Sequence, residues 1–147
     1  YWAQNSNFLQ YEYIQNDYED QGEIEVDHAP GLIWQKSGSP NHMPYQEAQE
    51  YVTQLTQERF AGHDDWRLPT IPELMSLLEP EEQSNGLYIN PVFDKPEEYP
   101  WYWSADRLSK SEGSSFDYAW FVYFSQCRVH QNLVGSNYYV QCVRSIK

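Results

Sequence analysis

The chain has 147 residues, a length typical of one domain, and 40% of them are hydrophobic, which is enough for a core. Its 22 acidic and 9 basic residues give a formal net charge of −13. We exclude nucleic acid as a natural partner on this ground, because phosphate binding needs a basic patch. No apolar run reaches the roughly 18 residues that a membrane-spanning helix needs, so we expect no membrane insertion.

Aromatic residues supply an unusual share of the apolar mass, with 13 Tyr, 6 Trp and 6 Phe in the chain. Tyr and Trp carry a polar group on a large apolar ring, which suits both an irregular core and a binding surface. Composition alone leaves both uses open.

The N-terminal part predicts an arm followed by a β-hairpin. Residues 1–21 lack a hydrophobic period, and we interpret them as an arm that packs on the domain or on a partner. The domain itself covers residues 22–147. Residues 23–27 alternate at period two, and residues 32–35 return as a second strand after the turn residues between them.

Two helices are predicted next. Apolar residues recur every three or four positions from Tyr45 to Phe60, which indicates an amphipathic helix. Thr70 is a good N-cap for a second helix, and Glu73 follows three residues later, as a capping box requires. We expect this helix to end at Pro80.

After an acidic loop at residues 81–100, the pattern changes to strands. The predicted strands are Trp101–Ala105, Tyr118–Phe124, Arg128–Gln131 and Tyr138–Ser145. Alternation predicts that Trp120, Val122 and Phe124 face inward and that Phe121, Tyr123 and Ser125 face outward. Helices followed by an antiparallel sheet indicate an α+β fold.

The sequence shows no pattern typical of a catalytic or metal site. Its four His residues lack metal-site spacing, and no nucleophile or phosphate-loop motif occurs. We therefore expect no catalytic residue, no metal and no cofactor. Cys127 and Cys142 lie in strand-like segments, which leaves a disulfide and two thiols as alternatives.

Six sequence blocks in a fixed order resemble one known family. The blocks are Val26–Gln35, Tyr45–Ala48, Asp64–Leu74, Tyr102–Ala105, Ala119–Val122 and Tyr139–Arg144. Together they resemble the Lcl-type C-terminal domain family, a family of bacterial domains, over residues 22–147. The order and spacing of the blocks make this resemblance more specific than the Trp-Arg-Leu-Pro segment alone.

The resemblance implies a C-type-lectin-like fold of the formylglycine-generating-enzyme branch, with two helices packed on small twisted antiparallel sheets. Relatives include bacterial adhesin domains and the variable proteins of diversity-generating retroelements, whose C-terminal strands and loops are mutagenised to make new ligand surfaces. The polar and Tyr residues from Ser114 to Gln141 fit that use.

This sequence departs from the family pattern in three ways. The common Gly after the Trp120–Phe124 strand is replaced near Cys127, and Gln141 stands where Arg is usual. The domain is also strongly acidic, so the sulfated-glycan binding of an adhesin relative is not carried over.

Two sets of residues follow from this interpretation. The scaffold set is Trp34, Trp66, Arg67, Pro69, Trp103, Trp120 and Arg144. We expect Trp66 to pack under the second helix and Arg67 to donate hydrogen bonds to nearby carbonyls or to a carboxylate.

The second set is a predicted binding face on the last strands. It consists of Tyr118, Tyr123, Ser125, Gln126, Arg128, His130, Asn132, Asn137, Tyr138 and Tyr139. Outward Tyr at this density is typical of a surface that meets a partner. The alternative is that some of these are ordinary solvent-facing strand residues.

Three functions remain open at this point. The first is a non-enzymatic ligand-display domain, diversified by a retroelement, that recognises a protein or other macromolecule. The second is a structural module that assembles into homo-oligomers through residues 1–21 and the Tyr-rich face. The third is a sensor or targeting module of a signalling protein such as a kinase fusion. The family resemblance favours the cell surface or exterior over the cytoplasm without fixing the compartment.

Overall fold

Two small antiparallel sheets and two helices form the fold in the computed structural model, which describes residues 15–108 and 117–146. In chain order the elements are β1 (Tyr18–Asp20), β2 (Ile24–Asp27), β3 (Leu32–Gln35), α1 (Tyr45–Gln57), α2 (Ile71–Met75), β4 (Trp101–Leu108), β5 (Tyr118–Tyr123), β6 (Arg128–Leu133) and β7 (Val143–Ser145). One sheet has the order β1-β2-β3-β7 and the other the order β4-β5-β6. This confirms the predicted α+β class.

The first sheet joins the beginning of the domain to its end. The predicted hairpin is confirmed: β2 and β3 pair antiparallel, with Ile24 opposite Gln35, and Gly31 supplies a positive φ of 74° in the turn. Strand β7 then pairs with β3 on its other side. Residues 18–20 of the predicted arm form the edge strand β1, whereas residues 1–14 lie outside the described residues.

Helix α1 is slightly shorter than predicted. It buries Tyr45, Ala48 and Leu55 on one face and ends at Gln57 rather than at Phe60. Arg59 then adopts a left-handed φ of 55°, which cannot continue an α-helix, and Phe60 lies in a following 3-10 turn.

Helix α2 begins as predicted but is only five residues long. The Thr70 hydroxyl accepts from the backbone N–H of Glu73 at 3.3 Å, and the Glu73 carboxylate accepts from the backbone N–H of Thr70 at 2.9 Å. The capping box is therefore confirmed. The helix ends at Met75 rather than before Pro80, because Leu78 forms a β-bridge with Ile89.

The inner strands β2, β3 and β5 pack on both faces, and this decides which of their side chains reach solvent. One face of β5 sends Ala119 and Phe121 into a core with α1, and the other sends Val122 into a second core with α2. The expectation that Phe121 faces outward is therefore wrong, since only 2% of it is exposed. Trp120, expected inside, is half-buried.

The last predicted strand is mostly an inserted segment. Only residues 143–145 are regular strand, whereas Tyr138 and Tyr139 make isolated bridges with Met43 and Tyr102. The backbone of Tyr139 bonds to both Trp101 and Trp103 along the edge of β4. Strand β4 flanks this segment on one side and the loop that contains Ser39 and Met43 flanks it on the other. Every residue from 138 to 144 is therefore buried.

Candidate ligand-binding face

The predicted scaffold residues occupy structural positions around the site. Trp34 and Trp103 are fully buried, and the Pro69 carbonyl accepts from the backbone N–H of Ala105 at 2.6 Å. Arg144 is 7% exposed and donates to Asp65 from Nε at 2.6 Å and from Nη2 at 3.2 Å. These contacts support their assignment to the framework.

Trp66 is buried, but not under α2. Its indole Nε1 donates to the Phe60 carbonyl at 2.9 Å, and its ring packs against Phe60 in the core that contains α1. The expected contact with α2 is wrong because neighbouring residues of extended backbone point to opposite sides. Arg67, not Trp66, reaches α2.

Arg67 links α2 to the first sheet. Its two terminal nitrogens donate to the Glu73 carboxylate at 2.6 and 2.7 Å, and its backbone bridges to Val143 of β7. Burial alone would raise the pKa of Glu73, but the hydrogen bonds from Arg67 and Thr70 hold it below its ordinary value. The predicted carboxylate partner of Arg67 is thereby confirmed.

The ten residues of the predicted binding face fall into three classes of exposure. Gln126, Arg128, His130 and Asn137 are exposed, Tyr118, Tyr123, Ser125 and Asn132 are half-buried, and Tyr138 and Tyr139 are buried. The expectation that Tyr138 and Tyr139 face outward is wrong, with exposed fractions of 5% and 3%. Strand alternation wrongly predicted that these two side chains are exposed, because β4 and the loop at Met43 cover the inserted segment from both sides.

Tyr118 does not join Tyr123 on one surface. The two residues are five positions apart in a continuous strand, so they point to opposite faces of β5. Tyr118 shares its face with Val122, whereas Tyr123 shares its face with Phe121. The predicted binding face is therefore divided by the sheet.

Around Tyr123 the structure assembles a continuous series of five stacked rings, which we call the aromatic stack. Tyr99 stacks on Trp101 at 5.2 Å between ring centroids, and Trp101 stacks on Tyr123 at 5.0 Å. Tyr123 stacks on Phe121 at 4.9 Å, and Phe121 stacks on Tyr138 at 4.2 Å. The stack follows from register, because Trp101 of β4 lies directly opposite Tyr123 of β5.

Strand β6 lines the aromatic stack with polar side chains. Arg128 lies opposite Tyr123 and His130 opposite Phe121 in the antiparallel register. The Asn132 amide donates to the Tyr138 hydroxyl at 2.7 Å. These three predicted residues thus lie together beside the stack, on the same face of the sheet as Tyr123.

A cavity of about 250 Å³, which we call the cleft, opens at the outer end of the stack. It is lined by His42, Glu98, Tyr99, Trp101, Asn137, Tyr138 and Tyr139. His42 Nε2 lies 2.9 Å from Glu98 Oε2, and the Tyr139 hydroxyl accepts from the backbone N–H of Glu98 at 3.3 Å. The cleft thus combines flat aromatic walls with a carboxylate, an imidazole and an amide.

The family model of the Lcl C-terminal domain matches residues 23–144. The chain belongs to the Lcl C-terminal domain family. The match runs from the start of the hairpin into β7, so the aromatic stack and the cleft both lie inside the Lcl domain. Comparison with curated proteins gave no match.

Four residues of the cleft in this Lcl domain were missed by the sequence analysis. His42, Glu98, Tyr99 and Trp101 lie in or beside segments interpreted as loops, or at the first position of a predicted strand. A signal was present in the run Glu97–Trp101, where aromatic residues and carboxylates stand together just before a strand begins. Residues just before a strand lie at the end of the sheet, where their side chains can reach solvent.

A larger depression of about 450 Å³ lies along α1, but its lining chemistry is unlike that of a ligand site. Gln46, Gln49, Glu50, Thr53, Gln54 and Gln57 line it, all from one helix. Long polar side chains lose rotamer freedom on binding and offer no apolar contact in return. The cleft therefore remains the better candidate in the Lcl domain.

Three further observations bound the chemistry of the described residues. Across residues 15–108 and 117–146, no group of three or more His, Cys, Asp or Glu side chains is placed to hold a metal ion. No helix in the same ranges is long and apolar enough to cross a bilayer. No disulfide joins Cys127 to Cys142, and burial raises the pKa of the Cys142 thiol.

Proposed function

We propose that this Lcl domain is a non-enzymatic ligand-recognition module with a C-type-lectin-like fold, and that it binds a protein or other macromolecule. The ligand surface consists of the outer end of the aromatic stack, the cleft and the exposed side chains of β6. The observation that carries this proposal is the stack itself, which runs from the buried Phe121 to Tyr99, a residue that is 71% exposed.

The energetics of the stack favour recognition over a purely structural role. Its inner end, Phe121 and Tyr138, is 2% and 5% exposed and already contributes to the core. Its outer end leaves the Tyr99 ring in water, where it gains little for folding. A large aromatic residue held rigid by stacking loses little entropy on binding and supplies much contact area, which is why such residues dominate binding energy in protein interfaces.

The exposed residues of β6 support the further proposal that this surface is diversified by a retroelement. Arg128 and His130 are exposed, whereas Val129 between them is half-buried. Substitution at the exposed positions changes the surface at little cost in stability, because it removes no packing. A nearby reverse transcriptase gene and a template copy of residues 114–147 that differs at adenines would be expected. Residues 114–116 and 147 of that range lie outside the described residues.

Selection of peptides from a random library displayed on phage tests the proposed surface directly. Peptides that bind the full chain are expected to lose about tenfold or more in affinity on Tyr99→Ala with His130→Ala, because truncated interface anchors cost that much. The matched control is Gln49→Ala on the exposed face of α1.

Three results would contradict the proposal: recovery of no binder, equal binding to the double variant, or loss of binding with the α1 variant alone. Sedimentation of the same proteins addresses the assembly hypothesis. Concentration-dependent self-association that disappears with the double variant would show that the surface serves self-assembly instead.

A further inference from the structure

The cleft at residues 42, 98, 99, 101 and 137 has a chemistry that selects one kind of ligand group. We propose that it takes the side chain of an arginine from a partner protein, with the guanidinium between the aromatic wall and the Glu98 carboxylate. This inference rests on the proposed function and deepens it, since it names what the outer end of the aromatic stack recognises.

The aromatic wall attracts cations. Tyr99 and Trp101 are stacked at 5.2 Å, and both line the cleft. The faces of aromatic rings carry partial negative charge and attract cations. Trp101 already stacks on Tyr99 and Tyr123, so the ring open to a cation is that of Tyr99, which is 71% exposed. A planar guanidinium also stacks on such a ring and is weakly hydrated, so it leaves water at lower cost than an ammonium does.

The charged groups at the rim favour the same ligand. Glu98 keeps 62% of its side chain exposed, and Glu97 and Asp94 precede it in the same exposed segment. Lys95, the one cation of that segment, donates to the Asn85 carbonyl at 3.2 Å. Together with a net charge of −13 for the chain, these carboxylates oppose an anionic ligand and attract a cationic one.

The other basic groups of the face lie farther from the cleft. Arg128 stands opposite Tyr123, and Tyr123 stands opposite Trp101, so two strand spacings separate Arg128 from Trp101. At about 4.8 Å per spacing, that is roughly 10 Å. His42 is closer, 2.9 Å from the Glu98 carboxylate, in the position that an incoming guanidinium would compete for.

The dimensions of the cleft match one side chain rather than a whole molecule. Its volume of about 250 Å³ accepts an arginine side chain inserted from above, with the aliphatic stem against Tyr138 and Tyr139 at the base. The exposed Asn137 amide at the rim can accept from the backbone of the same peptide. The remainder of the partner then lies over β6.

Short matched peptides test the inference on the full chain. The probes are acetyl-Gly-Arg-Gly-amide and the same peptide with citrulline, which has the shape of arginine without its charge. Binding is measured from the indole N–H resonances of the ¹⁵N-labelled chain, with the Trp101 signal assigned by Trp101→Phe. We expect saturable shifts of the Trp101 signal with the arginine peptide and about tenfold weaker binding of the citrulline peptide.

Two variants distinguish binding at the cleft from nonspecific attraction of a cationic peptide to the acidic chain. Glu98→Gln keeps the size of the side chain and should weaken the arginine peptide about tenfold, because it removes the carboxylate that pairs with the guanidinium. Glu82→Gln, an exposed residue of the same loop, changes the net charge by the same amount and should leave binding unchanged.

Several outcomes would overturn the inference. Equal binding of the two peptides, an equal effect of both glutamine variants, or saturable binding of methyl glucoside at Trp101 in place of the arginine peptide would each show a different ligand class. These failures leave the phage selection untouched, since peptides without arginine that depend on Tyr99 would still support the proposed function. Failure of both the arginine-peptide titration and the phage selection would contradict the proposed binding face as a whole.

Discussion

Cys127 adopts a left-handed backbone conformation, with φ of +54°, in the turn between β5 and β6. From the family resemblance we expected Gly in this region, and Gly enters that conformation without strain. A residue with a Cβ atom costs roughly 1–2 kcal/mol there. The departure noted in the sequence thus has a physical consequence in the turn that presents Gln126 and Arg128.

We therefore expect Cys127→Gly to be more stable than Cys127→Ala by about 1 kcal/mol, because both lose the thiol and only glycine relieves the backbone. Chemical denaturation of the two variants with a reducing agent present measures this difference. An alanine variant equal to or more stable than the glycine variant would show that the turn carries no strain.

Glu25 is a second residue with an unusual environment. It is fully buried in β2 opposite Trp34, and among the described residues neither of its carboxylate oxygens has a hydrogen-bond partner. Burial, with a smaller contribution from the charge of Asp20, raises its pKa from 4.5 to about 7, although Lys36 acts in the opposite direction.

This pKa makes stability depend on pH in a direction opposite to that of a paired carboxylate. The folded chain holds the Glu25 proton more tightly than the unfolded chain, so the stabilisation is complete below pH 4.5 and is lost as the pH rises through about 7. We expect a loss of about 2–3 kcal/mol across that window.

Urea denaturation between pH 4.5 and 8 measures the effect. Glu25→Gln cannot titrate and should flatten this component of the profile, whereas Glu23→Gln at the neighbouring exposed position should keep it. The same downward slope in wild type and Glu25→Gln would assign the effect to another group.

At the scale of elements, local signals were predictable and long-range ones were not. The start of α2 follows from Thr70 and Glu73, which are three residues apart and interact with each other. Its early end follows from a bridge between Leu78 and Ile89, which are eleven residues apart. The spacing of apolar residues within the helix carries no information about that contact. The sequence therefore predicts an element boundary well when the residues that determine it are close together in the chain, as at the start of α2.

The same distinction explains the binding face. The register of β5 and β6 places Tyr123, Arg128 and His130 on one face, as alternation predicted, because both strands are regular. Alternation was wrong for Phe121 on that face of β5, because Tyr138 covers its ring. It failed for Tyr138 and Tyr139, since their burial depends on Met43 and on β4, far away in sequence. The cleft joins residues from three separate segments, and only Asn137, Tyr138 and Tyr139 came from a segment already assigned to binding.

At the scale of the whole molecule, the inserted segment at residues 138–144 links the two sheets. It contacts β4 at Tyr139, the loop after β3 through Ser39 and Val140, and β3 itself through Val143. Its path therefore fixes how the aromatic stack of one sheet is held relative to the other sheet. A disturbance of this segment should affect both the stability of the domain and the shape of the cleft.

Gly38 is the position where this dependence can be tested. A Cβ atom there would lie 2.7 Å from the Val140 carbonyl and 2.6 Å from Gln141 Oε1, and the first of these is backbone that cannot move without shifting the segment. We expect Gly38→Ala to lower the free energy of unfolding by about 1–3 kcal/mol, as overpacking does. Gly135→Ala is the matched control, because a Cβ atom there meets nothing within 4 Å. Since Tyr138 and Tyr139 form the base of the cleft, Gly38→Ala should also shift the Trp101 indole resonance. A stable Gly38→Ala chain with an unchanged Trp101 signal would show that the segment does not position the cleft.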